Sequence, residues 1–180
     1  MGIRLVVNGQ TRQVEGVPTN LTLLRWLREH AGLVGTKEGC AEGDCGACTV
    51  AVRDGGRFRA VDSCLIPVGS LHGAEIWTAE GIGNEVAPHP AQEAMAASLG
   101  SQCGYCTPGI VMSLFEATYR GDLDAPWKLD DQLCGNLCRC TGYRPIREAA
   151  EAVAGTCPPD RFAATLGDVA EPEGARLVCE

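Results

Sequence analysis

Eleven cysteines are the residues with most chemistry to offer in this chain of 180, and eight of them fall into two ordered groups. Cys40, Cys45 and Cys48 are separated by four and then two residues, and Cys64 follows after fifteen more. That is the order of a plant-type [2Fe–2S] site, three cysteines in one loop and a fourth farther on. Two ferric ions bridged by sulfide need four thiolates converging from different directions. Gly39, Gly43 and Gly46 free the loop for left-handed turns that aim backbone N–H groups at the sulfurs, which favours the more negative reduced cluster. Cys103 and Cys106, with two residues between them, and Cys138 and Cys140, with one, form a second quartet across a gap of thirty-one. Gly104 and Gly142 offer the same backbone freedom. Pro108 opens a helix just beyond Cys106, so that its N-terminal amides could face a second cluster.

Structural zinc competes for either quartet, because Cys-x2-Cys pairs are common in zinc sites. The single-residue gap and the four-then-two spacing are both unusual there. Disulfides rank below zinc, since an odd number of cysteines cannot pair fully within one chain. Met1 to Val7 has neither the basic start nor the long apolar stretch of a secretory leader, so a reducing cytoplasm is the simplest expectation. Cys134, Cys157 and Cys179 are read as free thiols, with Cys134 the one able to replace a nominal ligand of the second quartet. His30, His72 and His89 are read as surface or packing residues, and no Ser/His/Asp constellation is legible. Gly35-Thr36-Lys37 is too short to count as a phosphate loop. A net charge of −8 lacks the basic face that nucleic acid requires, and no apolar run approaches the roughly 18 residues of a membrane span.

The elements that must position these cysteines divide the chain in two. Ile3 to Asn8 alternates as a strand, Asn8-Gly9 is a turn pair, and Gln13 to Val17 returns as the second strand of a hairpin. Thr22 caps a short helix with Leu24, Leu27 and Ala31 on one face and Gly32 at its end; Trp26 is read as core filler. Thr49 to Arg53, a turn at Asp54-Gly55-Gly56, a strand through Val61 and another over Glu75 to Thr78 complete a mostly β half over 1–80. A Gly- and Pro-rich linker follows at 81–89. The half over 90–155 is helical: Ala91, Met95 and Leu99 mark one helix, Ile110, Val111, Leu114, Phe115 and Thr118 a second, and Ile146, Ala149, Ala150 and Val153 a third. Residues 156–180 have no lasting periodicity and suit a linker or docking strap. Aromatics are only 5% of the chain, so metal centres would supply cross-links that the small cores lack.

The run Glu38-Gly39-Cys40-Ala41-Glu42-Gly43-Asp44-Cys45-Gly46-Ala47-Cys48-Thr49-Val50 resembles the first cluster loop of the xanthine dehydrogenase and aldehyde oxidase family. Gln102-Cys103-Gly104-Tyr105-Cys106-Thr107-Pro108-Gly109 and Gly135-Asn136-Leu137-Cys138-Arg139-Cys140-Thr141-Gly142-Tyr143 resemble its second cluster segments. The resemblance extends from residue 1 to about 155. It implies an α+β chain: an N-terminal β-grasp domain like plant-type ferredoxins, then a C-terminal four-helix-bundle domain, each with a [2Fe–2S] cluster. It also implies that electrons leave a molybdopterin-bound molybdenum on a large partner subunit and pass through the helical-domain cluster and then the ferredoxin-like one. FAD on a third subunit receives them. The same resemblance implies contact of Gln102 and the Cys140 segment with the partner's molybdopterin, and a dimer of heterotrimers as the assembly. Arg139, between two ligands, is read either as raising the cluster potential or as binding a partner carboxylate.

Gly43 to Cys48 and Gly100 to Ser113 look more like purine-oxidising members than like carbon monoxide or aldehyde ones, which points to xanthine or hypoxanthine. Many purine dehydrogenases continue into a flavin domain on the same polypeptide, whereas this sequence ends at Glu180. The expectation is therefore a flavin on a separate subunit, or a sequence that is part of a longer one. Competing readings are a free soluble ferredoxin, which needs no second cluster domain, and a zinc-stabilised interaction module without redox function.

Overall fold

The structure is a computed structural model that describes residues 2–54 and 56–166. Cys179 lies outside the described residues. The chain runs β1 (Ile3–Val7), β2 (Gln10–Val14), α1 (Leu23–Glu29), β3 (Thr49–Asp54), β4 (Arg57–Asp62), β5 (Glu75–Trp77), α2 (Ala79–Ile82), α3 (Pro90–Ala97), α4 (Thr107–Thr118), α5 (Pro126–Leu133) and α6 (Arg144–Val153). The strands form one sheet in the order β2-β1-β5-β3-β4, with β1 and β5 parallel and the other neighbours antiparallel. With α1 laid across it, this is a β-grasp, and the helical domain α3–α6 follows.

The first hairpin is tighter than the sequence suggests. Asn8 and Gly9 both take positive φ, 51° and 78°, the backbone of a two-residue turn whose twist matches the strands. The return strand therefore starts at Gln10 rather than Gln13. The Thr22 hydroxyl accepts the Arg25 N–H at the start of α1, which buries Leu23, Leu24, Trp26 and Leu27.

Period-two alternation gives the sheet two buried faces. Leu5, Val7, Val50 and Ile76 point to the α1 side, where Leu23, Trp26 and Leu27 close one core. Ala51, Phe58 and Trp77 point the other way, into a core shared with Ile110, Leu114, Phe115, Ile146 and Ala149. The far face of the β-grasp is thus covered by the helical domain, with α4 against β3 and β4. Helix α4 is buried from Gly109 through Phe115, as expected of a helix with neighbours on every side. Helix α6 is amphipathic, and Ile146, Ala149, Ala150 and Val153 form its buried stripe.

Two expectations for the helices need correction. Leu99 does not extend the stripe of Ala91 and Met95: α3 ends at Ala97, and Leu99 is 79% exposed at φ 55°. Helix α5 was not anticipated, because only Leu129 of its residues is buried, with Leu133 partly buried one turn on, too few apolar positions to mark a helix.

After α6 the chain turns back across both domains. The Gly155 and Cys157 N–H groups donate to the Ala117 and Thr118 carbonyls, both at 2.9 Å. Phe162 is buried among Phe58, Trp77, His89, Phe115 and Tyr119. Arg161 stacks on Trp77 and donates to the Gly81 carbonyl, while Arg53 on β3 donates to the Thr165 carbonyl. Residues 156–166 therefore act as a strap fastening sheet to bundle.

Candidate functional site

The first cysteine loop leaves α1 and returns as β3. Its shape is set by positive φ at Ala41, Gly43 and Gly46, which only glycine takes without strain. The Glu42 and Asp44 N–H groups donate to the Cys40 Sγ at 3.5 and 3.3 Å, and the Cys40 N–H donates to the Cys45 Sγ at 3.3 Å. Gly39 serves differently from the expectation of a left-handed turn. A Cβ there would lie 2.7 Å from the Cys45 Sγ, so its missing side chain makes room for the sulfur. The fourth cysteine, Cys64, follows β4 and packs with Cys48 and Leu24.

The thiols associate in pairs. Cys45 helps lower Cys40, and Cys64 acts on Cys48, so the members of each pair are near neighbours. In the second quartet Cys140 helps lower Cys103 and Cys138 helps raise Cys106, and Cys103 also feels the charge of Cys138. Among the described residues, no three His, Cys, Asp or Glu side chains surround one position that could hold a single metal ion. A two-iron cluster takes two thiolates on each iron, so two pairs of cysteines per quartet could hold one. Cys134 and Cys157 are exposed and stand outside these pairs.

Each quartet has a wet and a dry side. Backbone N–H groups, Glu42's first, together with the Cys45 thiol, bring Cys40 down to about 7, while burial pushes Cys48 up to about 12. The Tyr105 N–H holds Cys103 below its ordinary value, whereas Cys140 is raised, chiefly by Cys103. Burial pushes Cys106 up to about 12. Cys138 is raised by burial, but donors led by the Thr141 hydroxyl outweigh this and leave it lowered. Cys103 and Cys140 are exposed, beside exposed Gln102 and Arg139, while Cys138 is buried at the mouth of α4. Gly104 and Gly142 take positive φ as expected, and α4 starts directly after Cys106.

The two loops touch. The Leu137 N–H, next to Cys138, donates to the Cys45 carbonyl at 2.9 Å. Asn136 is buried, donates through Nδ2 to the Gly46 carbonyl at 3.0 Å and the Thr49 hydroxyl at 3.1 Å, and accepts from Ser113. A Cβ on Gly109 would lie 2.0 Å from the Gly46 carbonyl oxygen, and a Cβ on Gly46 2.2 Å from that of Gly135. The Tyr105 hydroxyl, between two cysteines of the second quartet, reaches the Glu38 carbonyl beside the first. Sequence reasoning assigned no role to Asn136, Tyr105 or Asp62. The first two stand in quoted motifs, but partners 90 and 67 residues away leave no local signal.

Comparison with known proteins gives one match per half. Residues 5–68 match the 2Fe-2S iron-sulfur cluster binding domain and residues 78–151 the [2Fe-2S] binding domain. Xanthine dehydrogenase of Blastobotrys adeninivorans is 49% identical over 152 residues, covering 80% of this chain and 11% of that protein. Aldehyde oxidase 2 of Cavia porcellus is 41% identical over 183 residues, covering 86% and 14%. The chain thus spans a small fraction of the curated relatives it matches. One chain in the crystal structure of quinoline 2-oxidoreductase from Pseudomonas putida 86 superposes with a TM-score of 0.75 at 32% identity, covering 91% of this chain and 93% of that one.

Proposed function

We propose, for a chain that belongs to the xanthine dehydrogenase and aldehyde oxidase family of molybdenum hydroxylases as their two-domain [2Fe–2S] portion, that it carries electrons from a partner's molybdopterin centre to a partner's FAD. Cys40, Cys45, Cys48 and Cys64 hold the first cluster, and Cys103, Cys106, Cys138 and Cys140 the second. Each cluster, when bound, supplies a one-electron carrier, and substrate is transformed on the partner's molybdopterin centre. The observation that carries the reading is the 2.9 Å hydrogen bond from the Leu137 N–H to the Cys45 carbonyl. It joins a residue adjacent to one quartet to a member of the other, so the two sites are connected by a few covalent bonds and one hydrogen bond.

Surface exposure is compatible with this direction. Cys103, Cys140 and Gln102 are exposed, as are Leu99, Tyr105, Leu137 and Tyr143 close to them in sequence, a surface suited to contact with a large molybdopterin-binding subunit. Val34 in the first loop and Leu65 beside Cys64 are exposed on another stretch of chain, which leaves that side for the FAD-binding subunit. A purine substrate is favoured by the motifs at Gly43 to Cys48 and Gly100 to Ser113, since identities to xanthine dehydrogenases, 44% to 49%, overlap those to aldehyde oxidases, 41% to 44%.

Native protein should contain about four irons and four labile sulfides per chain, two of each per cluster, and show two reduced-cluster EPR signals. It should co-purify with molybdopterin- and flavin-binding chains and reduce a dye with xanthine. Colourless protein with stoichiometric zinc would overturn the reading; a monomeric holo-protein would favour a free carrier. Turnover of quinoline or an aldehyde but not xanthine would replace the substrate alone.

A further inference from the structure

One carboxylate close to the first quartet is left without a task by electron carriage as such. Asp62 ends β4, and the antiparallel register sets it opposite Thr49, the residue after Cys48. Its Oδ1 lies 3.6 Å from the Cys48 Sγ and 3.4 Å from the Thr49 hydroxyl. Neighbouring backbone keeps it there. Ser63 donates through its hydroxyl at 2.7 Å and its N–H at 3.4 Å to the Cys48 carbonyl, and the Leu24 N–H holds the Ser63 carbonyl at 3.0 Å.

The donors facing Asp62 depend on whether iron is bound. As a free thiol, Cys48 gives its proton to Oδ1. As an iron ligand it is a thiolate with nothing to give. Thr49 has a single hydroxyl proton and directs it to the Gly46 carbonyl at 2.7 Å, while its oxygen accepts from Asn136 at 3.1 Å. In the loaded site, a carboxylate oxygen therefore stands against a ligand sulfur with at most one shared hydroxyl proton to soften the repulsion. Asp62 is only partly exposed and Cys48 is buried, so solvent screens the pair incompletely.

We infer that Asp62 is a potential-setting residue, whose carboxylate beside the Cys48 sulfur opposes addition of an electron to the first cluster and lowers its reduction potential. This rests on the assignment of Cys48 as a ligand of that cluster. The chemical consequence is one of driving force. A first cluster that holds its electron less tightly passes it on to the next acceptor more readily, and the second cluster, whose cysteines are elsewhere, is left as it was.

The test is a redox titration of the native complex followed by EPR, comparing wild type with Asp62→Asn and Asp62→Glu. At the ambient potential where the wild-type first cluster is half reduced, Asp62→Asn should raise its reduced-to-oxidised ratio on the order of tenfold, about 59 mV for a one-electron couple. The second-cluster signal should keep its midpoint, and Asp62→Glu should restore the first. An unmoved first-cluster midpoint in Asp62→Asn, or equal movement of both, overturns the inference and leaves the cluster assignment standing. Absence of a first-cluster signal from wild-type protein overturns the underlying reading instead. Should Asp62→Asn lose that cluster, Asp62→Ala decides: a raised midpoint supports the inference, and loss there too, with retention in Asp62→Glu, makes Asp62 an assembly residue and overturns it.

Discussion

Replacing Asn136 by alanine removes the pin between the two cysteine loops and leaves every cysteine in place. Asn136 is 5% exposed, donates to Gly46 and Thr49 and accepts from Ser113, itself 3% exposed. A buried neutral hydrogen bond contributes about 1 kcal/mol net, and a partner left unsatisfied costs about 1–3 kcal/mol. Thr49 still serves the Gly46 carbonyl at 2.7 Å, so the stranded group is chiefly the Ser113 hydroxyl, and the loss should total about 2–4 kcal/mol. For a chain of this size that is a fall in Tm of roughly 5–15 °C. Thermal unfolding of the iron-loaded protein measures it, and freeze-quench EPR after reduction of the second cluster measures the rate of passage to the first. Both should fall, because the pin holds the Leu137 N–H on the Cys45 carbonyl. Phe162→Ala is the control: it should destabilise by about 3–5 kcal/mol through the strap, with a smaller effect on that rate. A variant at Asn136 that melts with wild type, or one slowed no more than Phe162→Ala, refutes the reasoning.

Three further expectations can be checked with the same material. Gly109→Ala places a methyl 2.0 Å from the backbone oxygen of Gly46, so the domains must separate locally; limited proteolysis should cut faster near Gly46, and unchanged digestion would count against the close approach. Cys48→Ser should abolish the first cluster's EPR signal selectively, while Cys134→Ser, whose side chain lies outside both sets of pairs, should leave both signals; loss of the second signal in Cys134→Ser would mean that a ligand is misassigned. For pH dependence, burial, with Arg161 acting the same way and Asp160 opposing, takes His89 from 6.5 down to about 4. The folded state then binds fewer protons than the unfolded one, so this contribution is complete above pH 6.5 and is lost as the pH falls towards 4. It amounts to on the order of 3 kcal/mol. The gap in stability between wild type and His89→Asn should narrow over that window, measured by denaturant titration; a constant gap would mean that His89 is not titrating there.

Much of this was legible because the relevant physics is local. Asn8-Gly9 needs no distant partner to turn, Thr22 caps the helix three residues away, and α4 and α6 declare their buried stripes by spacing alone. The cysteine order likewise implies two groups, since a four-thiolate site demands donors at intervals. What stayed hidden depends on where the chain travels. Leu99 matched a helical repeat, but α3 ends before it. Helix α5 rests on Leu129 and the partly buried Leu133, too little to leave a pattern. The strap gave no periodic signal because its hold comes from Phe162, Arg161 and Asp160, whose partners Phe115, Gly81 and Tyr119 lie far back in the sequence.

The inter-domain contact also explains why these cysteine loops carry more glycine than their turns require. Gly46 has a left-handed backbone, but Gly109 sits in an ordinary helix, where glycine costs up to about 1 kcal/mol relative to alanine. A helix tolerates that loss when a backbone must approach it closely, and here the Gly46 carbonyl does so. That carbonyl is the acceptor for Asn136 and Thr49, and it is one residue beyond the Cys45 carbonyl that receives the Leu137 N–H. A side chain at Gly109 would lengthen the route between the two quartets while leaving each quartet's cysteines untouched. What glycine secures at that position is therefore the separation of the two sites, and separation is the quantity on which passage of an electron between them depends.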